Sequence, residues 1–288
     1  MTACLLFGAS GMVGSRLLPR LREARIEVIA VSRQPRPAQA GVHWLQADLH
    51  APLAPPAGVD AIISCGPLDA FARWHAQARP AATRVVALGS MSLDSKRTSA
   101  DAAERALAAR LQAAEDELFA SAAALGASAL VLRPTLIYGS GQDRSLARIA
   151  RFARRWRMYP RLYGATGLRQ PVHADDLALA CTTLLGMPEL SRRSYPLGGG
   201  ERLSCAQMIE RTCVSLGIGC LPIPLPVELL GSALAARLAR AMGWGTLPAA
   251  VLARLREDLV ADHGEAERDF GWAPRPFEPA AADWPPTG

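Results

Sequence analysis

The sequence predicts an α/β fold, in which a doubly wound parallel sheet is followed by a smaller, mostly helical C-terminal lobe. Short apolar runs alternate with helical segments along most of the chain, and a glycine-rich turn follows the first apolar run. Half of the 288 residues are hydrophobic, and a chain of this length can bury a sizeable core. Together these observations favour helices packed on both faces of one sheet.

The glycine-rich turn is the most informative motif. It lies between a buried strand predicted over 3–7 and a helix predicted over 15–24. Gly8 permits a tight turn, Gly11 removes a side chain where backbone approaches phosphate, and Gly14 lets the helix pack closely on the strand. The helix N-terminus offers free N–H groups and the positive end of its dipole, which suit a dinucleotide pyrophosphate. The residues predicted to bind it are Gly8, Ala9, Ser10, Gly11, Met12, Val13 and Gly14.

The other elements follow from the alternation of apolar and polar residues. Strands are predicted over 28–33, 44–49, 60–66, 84–90 and 129–132, and helices over 68–79, 100–125 and 175–185. Residues 143–161 have helical spacing, and further helices are predicted over 205–216, 227–242 and 248–260. Asp101 is predicted to cap one helix, and Asp175 and Asp176 another. Glycines 198–200 are interpreted as a structural loop.

Four motifs resemble the extended, epimerase-like branch of the short-chain dehydrogenase/reductase superfamily. They are the G-x-x-G-x-x-G turn, an Arg-Pro-Thr…Tyr-Gly segment over 133–139, a Val-His-x-Asp-Asp-Leu-Ala segment over 172–178 and a Gly-Trp-x-Pro-Arg segment over 271–275. The resemblance covers nearly the whole chain. It implies a Rossmann-type NAD(P)-binding domain over 1–200, with a substrate-lobe insertion at about 140–175, and a substrate or partner lobe over 201–288.

The resemblance also implies where the rest of the cofactor lies. Asp48 and Leu49, at the end of the third strand, are expected near the adenine. Cys65, Gly66 and Ser90 end the fourth and fifth strands and are expected to contact the cofactor there.

The end of the second strand bears on the choice of cofactor. NAD-specific sites usually place an acid there for the ribose hydroxyls, whereas this chain has Ser32 and Arg33. Arg33, together with Ser10, is predicted to hold a 2′-phosphate. The sequence therefore favours NADP(H) over NAD(H).

The Tyr-x-x-x-Lys pair that serves catalysis in the superfamily is missing. Lys96 is the single lysine, and Ser92 stands four residues before it. Counting back from Glu115, which resembles the acid that follows the pair, places Leu111 and Leu107 at the Lys and Tyr positions. The chain is therefore similar to the atypical members of the superfamily, some of which bind NADPH as a structural or sensing element.

Three residues are candidates for chemistry at the nicotinamide end. Ser90 stands where the family orients its substrate, and Tyr138 ends the sixth strand at the ligand-binding edge. Lys96 follows in the next loop, and a desolvated lysine can be tuned for proton transfer. The alternatives are packing for Tyr138 and a solvated loop position for Lys96. His173 is interpreted as an anchor of its loop rather than as a proton shuttle, and no metal site is expected.

Arginine dominates the charge of the chain. The net charge is +6, and one lysine stands among 32 basic residues. Seven arginines fall between 144 and 161. Three interpretations stay open: a solvated basic face, a site for a phosphorylated or carboxylated substrate, and a surface that binds anionic membranes. No nucleic-acid partner is expected, because no recognition helix or aromatic–basic platform is present.

The composition of the chain bears on the cellular compartment and the binding partners that we expect for it. No basic leader precedes the first strand and no apolar run is long enough to span a bilayer, so a cytoplasmic protein without a membrane span is expected. Six cysteines lack metal-ligand spacing and are expected to be reduced. The apolar stretch 225–255 is expected to cover the pocket or to form a homodimer or partner surface.

Two functions of different classes remain. One is an NADP-dependent oxidoreductase or epimerase with a non-standard acid, acting on a small substrate that is anionic or nucleotide-linked. The other is a catalytically silent NADPH-binding sensor or accessory subunit that acts through protein partners. The missing Tyr/Lys pair favours the second function, whereas Ser90 and the arginine-rich segment favour the first.

Overall fold

A seven-stranded parallel sheet forms the centre of the computed structural model, which describes residues 3–143, 145–232, 237, 252 and 254–285. Its strands are β1 (Ala3–Phe7), β2 (Glu27–Ser32), β3 (Val42–Gln46), β4 (Ala61–Ser64), β5 (Arg84–Leu88), β6 (Ser128–Pro134) and β11 (Arg193–Leu197). Their spatial order is β3-β2-β1-β4-β5-β6-β11, and every neighbouring pair is parallel. The predicted fold class is confirmed, and the order reverses between β1 and β4.

Helices cover both faces of this sheet, which explains why its inner strands are continuously apolar. Every residue of β1 and β5 is buried. One face carries α1 (Gly14–Glu23) and α6 (Ala174–Leu185), and the other carries α2 (Leu68–Ala78) and α4 (Ala102–Ala124). Leu6 packs with Leu17 in the first of these cores, and its neighbour Phe7 packs with Phe71 in the second.

A further core lies outside the sheet. It contains residues of α5 (Leu146–Trp156) and α7 (Cys205–Val214), together with Phe277 and Trp284 of the C-terminal segment. Three two-stranded sheets complete this part: β7 (Ile137–Tyr138) with β10 (Val172–His173), β9 (Leu168–Arg169) with β12 (Leu203–Ser204), and β8 (Met158–Tyr163) with β13 (Leu221–Pro226). The last helix, α8 (Gly264–Phe270), returns to the sheet, where the Tyr195 hydroxyl donates to Asp269 at 2.7 Å.

Two elements differ from the prediction for local reasons. The loop after β5 contains a separate short helix, α3 (Ser92–Lys96), which begins where the Ser90 hydroxyl accepts the amide of Ser92 at 3.1 Å. The helical spacing over 143–161 ends at Trp156. Arg157 adopts a left-handed conformation with φ 54°, and Pro160 cannot continue a helix, so the chain proceeds as β8.

The two helices predicted nearest the C-terminus lie partly outside the described residues. Of 227–242, Val227–Gly231 forms a 3₁₀ helix, while 233–236 and 238–242 are not described. Of 248–260, residue 252 is helical, whereas the described residues 254–260 form turns and a bridge. Arg169 explains this difference, because its guanidinium binds the carbonyl oxygens of Arg254 at 2.5 Å and Glu257 at 2.8 Å.

The six cysteines are free thiols. Four of them are buried, and Cys65 and Cys220 are half-buried. Burial raises the pKa of the Cys4 and Cys181 thiols to about 12, as expected for small apolar core residues.

Candidate dinucleotide and substrate site

The glycine-rich turn has a backbone that only glycine fits. Gly8 has φ +70°, and a Cβ there would lie 2.8 Å from the carbonyl carbon of Cys65. A Cβ on Gly14 would lie 2.2 Å from the carbonyl oxygen of Gly8. The turn therefore brings the ends of β1 and β4 into contact at the point where the strand order reverses, which is where open α/β sheets bind ligands.

The start of α1 is open to an anion. Its N-cap is Val13, which provides no side-chain cap, and its first turn contains no acid. The amides of Met12 and Val13 make no hydrogen bond to another described backbone group. Uncapped N–H groups at the positive end of a helix dipole suit a phosphate group, so the turn fits a dinucleotide pyrophosphate.

A groove of about 550 Å³ continues from this turn toward the ends of β2 and β3. Its lining residues include Ala9, Ser10, Leu18, Arg36, Gln39 and Trp44. The indole N–H of Trp44 is buried and has no hydrogen-bond partner among the described residues. Such a groove offers both an apolar surface and polar groups to the adenosine half of a dinucleotide.

Arg36 rather than Arg33 lines this groove. The buried Ser32 hydroxyl accepts the Gln34 amide at 3.3 Å and Arg36 Nε at 3.4 Å, which holds the loop after β2 against the groove. Arg33, the predicted phosphate ligand, and Arg36 are both exposed, and Arg33 is not among the lining residues. Phosphate binding by Arg33 stays a prediction. The sequence prediction did not include Arg36, the second arginine of the same acid-free loop.

The segment after β3 contacts the end of β4. A Cβ on Gly66 would lie 3.0 Å from Leu49 Cδ1, so these two residues are in close contact. Asp48 accepts the amide of His50 at 3.0 Å, which fixes the turn after β3. The contact with adenine and cofactor expected of Cys65, Gly66, Asp48 and Leu49 stays a prediction.

Ser90 and Lys96 lie on the next part of that edge, beyond β5. Lys96 Nζ is 3.5 Å from the Glu104 carboxylate, which also binds the Arg254 guanidinium. Burial raises the pKa of Glu104, but hydrogen bonds from Ser99 and Arg254 and the Lys96 charge outweigh it and lower the pKa below its usual value. Lys96 is therefore held in an ion-pair cluster rather than in a solvated loop.

Tyr138 is enclosed by the second core. Its ring packs edge-on against His173 and Phe277, each at 4.9 Å between centroids, and only 1% of the residue is exposed. Burial raises the pKa of its phenol well above the usual value. This enclosure agrees with the packing alternative for Tyr138, and a part in proton transfer stays an untested prediction.

A buried ion pair fixes the rotation of α4. Arg133 binds both carboxylate oxygens of Glu115, at 2.8 and 2.5 Å, and the Ser194 hydroxyl donates to the same carboxylate at 2.6 Å. Leu111 and Leu107 lie one and two turns earlier on the same face of the helix. Apolar side chains therefore occupy the face on which the resemblance expects the Lys and Tyr of the catalytic pair.

The predicted cap of α6 needs correction. His173 is the N-cap, and its Nδ1 accepts the amide of Asp175 at 3.1 Å, while Nε2 lies 3.2 Å from Asp283. Asp176 instead accepts the amide and Nε of Arg275, at 3.1 and 2.9 Å. His173 thus has the anchoring role expected of it, and the aspartates do not form the cap. In the described parts of the chain no cluster of His, Cys, Asp or Glu could hold a metal ion.

Backbone groups of other segments pack against the loop of glycines 198–200. A Cβ on Gly199 would lie 1.9 Å from the carbonyl oxygen of Pro171, and one on Gly200 would lie 2.3 Å from that of Pro274. The amides of Gly199 and Gly200 donate to the carbonyls of Gln170 at 3.2 Å and Arg275 at 3.0 Å, so they are engaged within the protein, in agreement with the structural interpretation of this loop.

Residues 4–93 match the NAD dependent epimerase/dehydratase family. This segment holds the glycine-rich turn, the ends of β3 and β4, and Ser90. The match confirms the predicted resemblance for this part of the chain. No curated protein sequence matches the chain.

Solved structures share the fold over nearly the whole length. MoeE5 in complex with UDP-glucuronic acid and NAD has a TM-score of 0.71 at 19% identity, covering 98% of this chain and 97% of that one. The crystal structure of gox2253 has a TM-score of 0.70 at 19% identity, covering 99% and 98%. UDP-glucuronic acid 4-epimerase from Bacillus cereus, in complex with NAD, has a TM-score of 0.69 at 12% identity, covering 98% of this chain and 95% of that one.

None of the described helices is both long and apolar enough to cross a bilayer.

Proposed function

We propose that this protein is an NADP(H)-binding oxidoreductase of the epimerase/dehydratase type that acts on an anionic or nucleotide-linked substrate. The proposal rests on the uncapped start of α1 at the switch point, where Met12 and Val13 offer free amides. A bound dinucleotide would supply the hydride acceptor or donor. MoeE5, which has the same fold and binds UDP-glucuronic acid and NAD, supports the substrate class.

The preference for NADP(H) rests on the loop after β2. This loop carries no acid for ribose hydroxyls, and Arg36 lines the groove beside Ser10. A guanidinium forms paired, charge-assisted hydrogen bonds with a phosphate, whereas a ribose hydroxyl gives it no charge to neutralise. We assign Arg36 as the main 2′-phosphate ligand and Arg33 as a second cation outside the groove.

Substitution of Arg36 tests this assignment. Arg36→Ala is expected to weaken NADPH binding about tenfold or more and to leave NADH binding unchanged, because one charge-assisted contact is lost. Calorimetric titration with both dinucleotides measures the two effects. Arg33→Ala is expected to have a smaller effect, and the exposed Arg73→Ala on α2 is the matched control. Equal NADPH affinity in Arg36→Ala and Arg73→Ala would reject the assignment.

On the substrate side we assign two residues. The Ser90 oxygen accepts the Ser92 amide, which leaves its own O–H free to donate to a substrate oxygen. Lys96 adds a cation held in place by Glu104. We give Tyr138 no part in proton transfer, since it is enclosed by Phe277 and His173.

A catalytically silent NADPH-binding protein is the second candidate. It is favoured by Leu107 and Leu111 on the face of α4 expected to carry the catalytic pair. Incubation with NADP⁺ and UDP-glucuronic acid or UDP-glucose separates the candidates. Turnover that Ser90→Ala lowers supports the enzyme. Tight NADPH binding without turnover of either sugar nucleotide supports the silent protein.

A further inference from the structure

The outer surface of the second core combines exposed apolar side chains with arginines. Trp156, at the end of α5, is 45% exposed, and on β13 Leu221 is 63% and Ile223 37% exposed. Arg151, Arg155 and Arg157 are exposed on and just after the same helix. We call these six residues the basic–apolar patch.

The backbone makes the patch continuous. The amide of Leu221 donates to the carbonyl of Arg157 at 2.8 Å, which joins the start of β13 to the end of α5. Ile223 pairs with Pro160 of β8 and lies on the same face of β13 as Leu221, because side chains alternate along a strand. Arg155 lies over the Trp156 ring at 5.6 Å, so cation and aromatic ring are adjacent.

The helix presents the patch outward. The opposite face of α5 carries Leu146, Ile149 and Ala150, which are buried in the second core. Arg151 and Arg155, four residues apart, lie on the face away from that core. The arginines thus form an outer surface and do not converge on a cavity of the described part of the chain.

Arginines predominate around the patch. Residues 144–163 include seven arginines and no acid. Two acids lie at its margins: Glu210 is 3.5 Å from the Tyr159 hydroxyl, and Glu228, after β13, binds the Arg256 guanidinium. A second copy of this chain meeting the same patch across a twofold axis would bring like charges together. An anionic surface that accepts apolar side chains complements the patch better. Tryptophan and aliphatic residues next to arginines are typical of surfaces that enter the boundary between lipid headgroups and acyl chains.

We propose that the basic–apolar patch docks this protein on an anionic phospholipid surface. Trp156, Leu221 and Ile223 enter the headgroup boundary, and the arginines bind lipid phosphates. This inference is independent of the proposed cofactor and substrate, because the patch shares no residue with the glycine-rich turn or the groove.

Sedimentation with vesicles tests the proposal on the full chain. The protein is expected to bind vesicles of mixed phosphatidylglycerol and phosphatidylcholine and not vesicles of phosphatidylcholine alone, and salt is expected to weaken binding. The double variant Arg151→Gln/Arg155→Gln is expected to bind roughly 25-fold more weakly, at about fivefold per arginine. Trp156→Ser is expected to weaken binding to the anionic vesicles but to leave the salt dependence of that binding unchanged, because the arginines are retained.

The matched control is the double variant Arg22→Gln/Arg73→Gln, which removes the same charge from exposed positions of α1 and α2. Thermal unfolding checks that each variant is folded. Equal loss of binding in both double variants would show that net charge alone attracts the vesicles and would overturn the proposal. Absence of binding to the anionic vesicles would also overturn it. Displacement of the protein from the vesicles by a DNA duplex that binds the patch would overturn the proposal as well, since the surface would then be a nucleic-acid site.

Discussion

Arg33 and Arg36 are three positions apart, yet only Arg36 lies in the groove beside the glycine-rich turn. The sequence predicts a cation in this loop, because an acid is missing there. It does not predict which arginine faces the groove, since that depends on the hydrogen bonds of Ser32 within the folded loop.

The surroundings of Tyr138 also depend on the folded chain. Its position at the end of a strand is evident from the sequence, whereas its enclosure by Phe277 and Trp284 depends on a distant segment of the chain.

A buried histidine makes the stability of the protein depend on pH. His75 on α2 is fully buried, its Nδ1 is 2.8 Å from the Ser121 hydroxyl, and its Nε2 has no partner among the described residues. Burial lowers its pKa from 6.5 to about 4. The unfolded chain therefore binds a proton near pH 6.5 that the folded protein does not bind until about pH 4. The stability present above pH 6.5 is lost as the pH falls through this window.

The pH dependence can be measured by urea unfolding. Between pH 6.5 and 4 the wild type is expected to lose about 3 kcal/mol of unfolding free energy through His75. His75→Leu is expected to remove this part of the pH dependence. His43→Leu, at an exposed position, is the control and is expected to keep it. An unchanged slope in His75→Leu would show that other groups cause the loss.

At the scale of elements, the sequence predicts the sheet and its helices well because their signals are local. β1, α2 and β5 begin at the predicted residues 3, 68 and 84, and Asp101 caps α4 by accepting the amide of Ala103 at 2.8 Å, as predicted. The elements that the sequence does not predict are those determined by tertiary contacts. β8 requires β13 as its partner, and residues 254–260 are held by the side chain of Arg169. These pairings join distant parts of the chain and leave no periodic signal.

The glycine-rich turn is the element whose function is most sensitive to one substitution. Gly14→Ala is expected to abolish NADPH binding, because the added Cβ would lie 2.2 Å from the backbone oxygen of Gly8 and would force the turn open. Gly219→Ala is the matched control, since nothing lies within 4 Å of its added Cβ. Calorimetry measures binding, and circular dichroism checks the fold. Retained affinity in a folded Gly14→Ala variant would contradict the site.

At the scale of the whole molecule, the sheet edge, the second core and the C-terminal segment come together around the candidate site. Glu104 of α4 binds Arg254 of the C-terminal part, and Asp176 of α6 binds Arg275. Trp272 donates its indole N–H to the carbonyl of Gly198, which ties the last segment to the sheet. These contacts hold the C-terminal part of the chain against the sheet and its helices.

Binding of NADP(H) by the turn of Gly8 to Gly14 can be measured by calorimetric titration of the purified full chain with NADPH and, separately, with NADH. We expect saturable one-to-one binding of NADPH that is at least about tenfold tighter than binding of NADH, because the Arg36 contact to the 2′-phosphate is charge-assisted. Binding of neither dinucleotide would show that the turn is not a dinucleotide site. Equal binding of both would preserve the turn as the site and refute the role of Arg36.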